Sequence, residues 1–233
     1  MKRLFALVVA AVVCVTTSTP AHGALIFVSS RSALGGNDYV DWGTLGPNGT
    51  PVSNPFNITS NLGDTLTVSM VATGNFERRD QSLGWNGNFA PGDALLWTNT
   101  SNNSNNPISV FNFDVGVAAV GTQIQANFFG GFVARIEAFD AGNNSLGFFT
   151  VNGLSTWAGD NSAIFLGVRS TTTPIARIAF SLDSASSNLA DFAINRLDFD
   201  SNLTVIPEPA TLAVFGLMAA GVFGVRRRMK ATA

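Results

Sequence analysis

The chain has 233 residues, 46% of them hydrophobic and only 12% charged, about half the charged share of an average soluble domain. Asn, Ser, Thr and Gly carry the polarity instead, which suits an all-β extracellular domain with β-branched and aromatic strands and Asn/Gly turns. From Ala24 to Ile206 there are 7 Arg, no Lys and 14 carboxylates, a net charge of -7 that argues against nucleic acid or an anionic membrane as a partner of this part.

The N-terminal segment opens with Lys2-Arg3, runs through the apolar stretch Leu4 to Val15 and ends in TTSTPAHGA. Ala21 and Gly23 form a small-x-small cleavage site, so residues 1-23 are expected to be a signal peptide that forms a signal helix and is then removed. The single Cys (Cys14) and single His (His22) both lie in that segment. The mature chain would then have no disulfide, Cys nucleophile, His-based triad or imidazole ligand.

Residues 24-205 are expected to form one secreted domain, long enough to bury a sizeable core. Leu66, Val68, Met70 and Ala72 alternate with Thr65, Thr67, Ser69 and Val71, as in a half-buried strand. PISVFNFDV repeats the pattern, with Phe111, Phe113 and Val115 on one side. TQIQANFF, GFVARIEAFD, SLGFFTV, AIFLGV, PIARIAFSL and FAINRLDF follow, separated by Gly, Asn, Ser and Asp clusters. FVARIEAFD-AGNN-SLGFFTV reads as a hairpin, with Phe132, Ala134, Ile136 and Ala138 on one face and Val133, Arg135, Glu137 and Phe139 on the other. SNNSNN, at 101-106, reads as a loop. The fold class expected is an all-β, jelly-roll-like antiparallel sandwich.

The C-terminal stretch begins at Pro207-Glu208-Pro209, continues through an uncharged apolar run of 16 residues, Ala210 to Val225, and closes on Arg226, Arg227, Arg228 and Lys230. Read as a transmembrane helix, the run puts its basic end on the cytoplasmic side and the acidic body outside. A PEP tripeptide, a short hydrophobic stretch and an Arg cluster behind a signal peptide resemble the PEP-CTERM sorting signal. That resemblance implies that residues 206-230 are a sorting and anchor segment read by an exosortase, with Pro207, Glu208 and Pro209 as the recognition tripeptide and Arg226, Arg227 and Arg228 as the basic anchor. It also implies an exported protein, held in the inner membrane as a precursor and delivered to the cell surface or extracellular matrix. NDYVDWGTLGP and NFERRDQSLGWNGNFAPGDALLWT look like stretches of uncharacterised PEP-CTERM proteins, and the last third is similar in strand pattern to carbohydrate-binding sandwich modules.

No catalytic residues are expected. The mature part has two glutamates, Glu77 and Glu137, each beside an Arg two positions away, and they read as surface ion pairs rather than an acid-base pair. No cofactor is required, although the oxygens of Asp140, Asn143 and Asp160 would suit Ca²⁺ in a loop. The sharpest candidate is a glycan site, in which a sugar ring stacks on an aromatic face and amides or carboxylates take its hydroxyls. Trp85 with Asn86, and Trp157 with Asp160 and Asn161, have that composition, and Trp42 and Trp97 are further platforms. Two functions stay open: a structural or adhesive component of an exopolysaccharide layer, or a discrete lectin-like module. An exposed Trp ringed by Asn and Asp favours the second, and four buried tryptophans the first.

Overall fold

A computed structural model describes residues 25-100, 108-185 and 191-202. The strands in chain order are β1 (Leu25–Val28), β2 (Asp38–Val40), β3 (Pro51–Val52), β4 (Phe56–Thr59), β5 (Thr65–Met70), β6 (Phe76–Asp80), β7 (Ala94–Trp97), β8 (Ser109–Val117), β9 (Ala119–Ala126), β10 (Gly130–Phe139), β11 (Ser145–Ser155), β12 (Ile164–Ser170), β13 (Ile175–Ala185), β14 (Phe192–Ile194) and β15 (Leu197–Asp200). Every ladder is antiparallel. One sheet runs β1-β12-β9-β14-β7-β6-β3, with β15 pairing β9 and β2, and the other runs β11-β10-β13-β8-β5-β4. The expected all-β antiparallel sandwich is therefore observed.

Period-two alternation builds the space between the sheets. Leu66, Val68 and Met70 of β5 and Phe132, Ala134, Ile136 and Ala138 of β10 are buried, while their neighbours in sequence face outward or lie part-exposed. Trp42, Phe111 and Phe180 stack in series at 6.1 and 5.7 Å between centroids. The β10–β11 hairpin forms as expected, its turn closed by Asp140, whose Oδ1 accepts the Asn144 N–H at 2.8 Å. Val115 departs from the expected face and is 61% exposed. The β8–β13 register shifts between Ile175 and Arg177, five residue steps on β8 opposing two on β13, so Asp114 and Val115 bulge outward and the inward face resumes at Val117.

Strand β9 is buried along its whole length, on both faces. Its outer face is roofed by two connections, 81-93 between β6 and β7 and 156-163 between β11 and β12. Trp85 and Phe89 from the first pack with Ala163 of the second onto Leu95 and Ala193, with Trp97 alongside. A second, smaller core thus forms a third layer at one end of the sandwich.

The helices expected at the two ends require correction. Among the described residues no helix is long and apolar enough to cross a membrane. The α-helix Arg31–Leu34 and the 3-10 helix Trp42–Leu45 have 4 residues each. The signal helix and the C-terminal transmembrane helix fall on residues outside those described, as does SNNSNN. The physical weakness of the second was already in the sequence: 16 residues at about 1.5 Å each reach about 24 Å, short of a ~30 Å hydrocarbon core. The inner-membrane partnership drawn from that helix is withdrawn with it.

Candidate functional site

The roofing connections are shaped by turn chemistry. In 156-163, Gly159 (φ 59) and Asn161 (φ 62) both adopt left-handed backbone, which Gly and Asn tolerate best. Between them Asp160 closes an Asx turn, its Oδ1 accepting the Ser162 hydroxyl at 2.6 Å and the Ser162 N–H at 3.1 Å. Those two bonds hold the Asp160 carboxyl below its ordinary range, so it is ionised at neutral pH. In 81-93, the Asp80 carbonyl accepts the N–H groups of Leu83, Gly84 and Trp85.

Carboxamides lock the two connections to β9. Asn88, 2% exposed, donates from Nδ2 to Thr156 Oγ1 at 2.7 Å and Ser162 Oγ at 2.8 Å. Its Oδ1 accepts the Thr156 N–H at 2.6 Å and Gln125 Nε2 at 2.9 Å. Gln125 also accepts the Asn88 N–H at 2.7 Å and donates to Ser155 Oγ at 2.7 Å. Two residues back along β9 and on the same face, Gln123 donates from Nε2 to Asn161 Oδ1 at 3.1 Å and the Ala163 carbonyl at 2.9 Å, and its Oε1 accepts Asn195 Nδ2 at 2.7 Å. A buried polar layer so nearly satisfied fixes one loop geometry, because each displaced partner would leave a desolvated group behind.

Above this layer lies a cleft of about 580 Å³ lined by Asn88, Asn152, Leu154, Thr156, Asp160 and Ser162, with Gly153 and Ile164. Amides, hydroxyls, one carboxylate and apolar carbon face it, and among the described residues no Arg lines it. Trp157 follows Thr156 at its rim and is 75% exposed, its ring 4.9 Å from that of Phe129, itself 46% exposed. Phe129 immediately precedes Gly130, which pairs with Ser155, so the ring pair sits beside the Leu154 end of β11.

The structure separates the expected site residues. Trp157, Asp160 and Asn161 share one loop, with Asp160 in the cleft wall and Asn161 tied to Gln123. Trp85 is buried in the third layer against Phe89 and Trp97, so it offers no platform. Asn86 is exposed on the neighbouring connection and does not line the cleft. Trp42 is fully buried with Nε1 donating to the Asn195 carbonyl at 2.7 Å. Trp97 is half-buried, donates to Asp191 Oδ2 at 2.8 Å and lies under Arg79. Asn88, Asn152, Thr156 and Ser162 were missed. Asn88 stands in the same WNGN run as the expected Asn86, two positions on, and only the tertiary roof tells which amide turns inward.

The calcium candidates are occupied otherwise. Both Asp140 oxygens accept from Asn144 Nδ2, at 3.2 and 3.0 Å, Asn143 takes the left-handed turn position (φ 64), and Asp160 caps Ser162. Among the described residues no group of three or more His, Cys, Asp or Glu side chains could hold a metal ion. Glu77 pairs with Arg79 at 2.7 Å on one sheet and Glu137 with Arg135 at 2.9 Å on the other.

The class these features define is an antiparallel β-sandwich with an exposed aromatic pair beside a neutral-to-acidic cleft. Residues 205-228 match the PEP-CTERM protein-sorting motif, so the chain carries that sorting tail behind the sandwich. No curated protein matches the chain by sequence. Among solved structures it is similar to a DUF4465 family protein from Bacteroides caccae, at 13% identity over 76% of this chain and 99% of that one, TM-score 0.38. It is also similar to CsCBM6-3 from Clostridium stercorarium in complex with cellobiose, at 12% identity over 66% and 99%, TM-score 0.32. A third likeness is a glycoside hydrolase family 43 arabinoxylan arabinofuranohydrolase from Bacillus subtilis in complex with cellotetraose, at 10% identity over 70% and 43%, TM-score 0.30. At these scores neither a fold nor a ligand transfers from them to this chain.

Proposed function

We propose that this is an exported protein, sorted through its PEP-CTERM tail by an exosortase, whose sandwich binds a neutral carbohydrate in the cleft beside Trp157. One observation carries the reading: of four tryptophans, three are buried or committed to packing, while Trp157 stands 75% exposed beside a cleft ringed by Asn88, Asn152, Thr156, Asp160 and Ser162. An indole left in water forfeits the stabilisation of burial, and its flat face paired with hydrogen-bonding groups is what a sugar ring requires. Asp160 is ionised and among the described residues no cation lines the cleft, so a uronate or sulfated sugar would be repelled where a neutral one is accepted.

The placement of the tail favours display. β9 pairs with Ile164 through Ile124 at the cleft end, and with Asp200 through Ala119 at the other. The last described residues, Ser201 and Asn202, therefore follow a pairing about 17 Å along β9 from the cleft end. An exosortase engaging residues 205-228 would act at a distance from the cleft and leave it uncovered.

A glycan array probed with the exported protein tests the ligand. Signal confined to neutral saccharides, lost in Trp157→Ala, is expected, and signal on anionic glycans alone would refute the assignment. Sorting is tested separately. Replacing Pro207, Glu208 and Pro209 by alanine is expected to leave export intact and block tail processing, seen as a higher intact mass. An unchanged processed mass would remove the exosortase from the account.

A further inference from the structure

Sheet edges carry unpaired N–H and C=O groups, and proteins blunt them with short strands, charges or prolines. Four edges among the described strands follow that rule. β1 and β4 have 4 residues each, β2 has 3 and β3 has 2, with Pro51 inside β3 and Pro55 immediately before β4. The fifth edge does not. β11 has 11 residues, SLGFFTVNGLS, without a charge or a proline, and among the described residues it pairs only with β10.

Its outward face carries Phe148 (52% exposed), Thr150, Asn152 and Leu154 (64% exposed). These positions are symmetric about Val151. An antiparallel pairing of β11 with itself, its two-fold axis at Val151, sets Phe148 of one copy opposite Leu154 of the other and Thr150 opposite Asn152. Opposed side chains in such a pair lie about 4.5–5.5 Å apart, so both exposed apolar residues find an apolar partner twice. Electrostatics select the same edge. Two bodies of net charge -7 repel each other, and this uncharged strand lets their backbones meet without opposing like charges. On β10, one strand in, Arg135 is neutralised by Glu137 at 2.9 Å and lies 3.7 Å over the Phe148 ring, which fixes that ring on the outward face.

We infer that a second copy of this chain docks on β11, joining two six-stranded sheets into one continuous twelve-stranded sheet across an isologous interface. The inference rests on the edge alone and not on the carbohydrate reading. Asn152 and Leu154 belong to both the edge and the cleft, so a sugar in the cleft competes with the second copy.

Sedimentation of the purified protein over a micromolar concentration series tests it. A monomer–dimer equilibrium is expected. Thr150→Lys with Asn152→Lys sets lysines opposite each other twice and is expected to raise the dimer dissociation constant at least tenfold without moving the melting temperature. Oxidising the Thr150→Cys, Asn152→Cys variant should give a covalent dimer whose bridge maps to positions 150 and 152 of different copies. A protein that stays monomeric at every concentration overturns the inference, whether the β11 amides exchange freely or are protected by an outlying segment of the same chain. A dimer indifferent to the lysines overturns it as well.

Discussion

Replacing Asn88 by alanine removes the carboxamide that ties both roofing connections to β9. Five hydrogen bonds go: three donated, to Thr156 Oγ1, Ser162 Oγ and, longest at 3.5 Å, Asp160 Oδ1, and two accepted from Thr156 N–H and Gln125 Nε2. The losses are unequal. Ser162 is exposed and its hydroxyl is rehydrated. Gln125 Nε2 keeps Ser155 Oγ at 2.7 Å and the Thr156 carbonyl at 3.1 Å. The half-buried Thr156 N–H, at the start of the second roofing connection, is left without its acceptor. With about 1 kcal/mol net for each ordinary bond and about 1–3 for an orphaned buried donor, the destabilisation is about 2–3 kcal/mol. For a domain of this size that lowers the melting temperature by about 4–12 °C. Ser162→Ala, which removes the two bonds of an exposed hydroxyl, one accepted from Asn88 Nδ2 and one donated to Asp160 Oδ1, should cost about 1 kcal/mol or less because water replaces both. Circular dichroism melts and urea titrations of both variants measure the difference. An Asn88→Ala protein within about 0.5 kcal/mol of the parent, the range of an ordinary surface change, would refute the view that this carboxamide layer shapes the cleft.

Asp191 supplies a pH prediction. Its carboxyl is buried, which pushes its pKa up against the opposing hydrogen bonds from Trp97 Nε1 and Asn127 Nδ2, and its Oδ1 has no hydrogen-bond partner among the described residues. The folded protein holds this proton more tightly than the unfolded chain does. Its contribution is thus fully present below the unfolded value and is lost as pH rises through the raised folded one. The melting temperature of Asp191→Asn minus that of the parent should therefore increase from pH 4 to pH 8, and a flat difference contradicts it. Gly153 supplies a packing prediction: a Cβ there would lie 2.2 Å from Phe132 Cζ, on a ring only 4% exposed. Gly153→Val is expected to cost about 1–3 kcal/mol by urea midpoint, whereas Gly131→Ala, with open space at its Cβ, should be near neutral.

Much of the sandwich was legible because alternation is a local signal. Thr65 to Met70 and Phe132 to Phe139 show their faces residue by residue, and Asp140 to Asn144 announce the turn between β10 and β11. Val115 was misplaced because a register shift with β13 depends on a partner strand more than fifty residues away. The site was half legible. Trp157, Asp160 and Asn161 are neighbours in sequence and remain so in space. Gln123 and Gln125 alternate with Ile124 as a solvent-facing row would, yet both are buried, because the roof that covers them comes from two distant connections. The same roof decides which Trp is core and which is platform: Trp85 meets Phe89 and Leu95 beneath it, while Trp157 lies on its outer edge against Phe129.

Titration of the most strongly retained neutral saccharide into the parent protein and into Trp157→Ala, followed by calorimetry, bears most directly on the carbohydrate reading. The account predicts saturable binding by the parent and at least a tenfold loss in the variant at an unchanged melting temperature, since the indole contributes little to the fold where it is exposed. Equal affinity in the two proteins, or heat only from anionic saccharides, would contradict it.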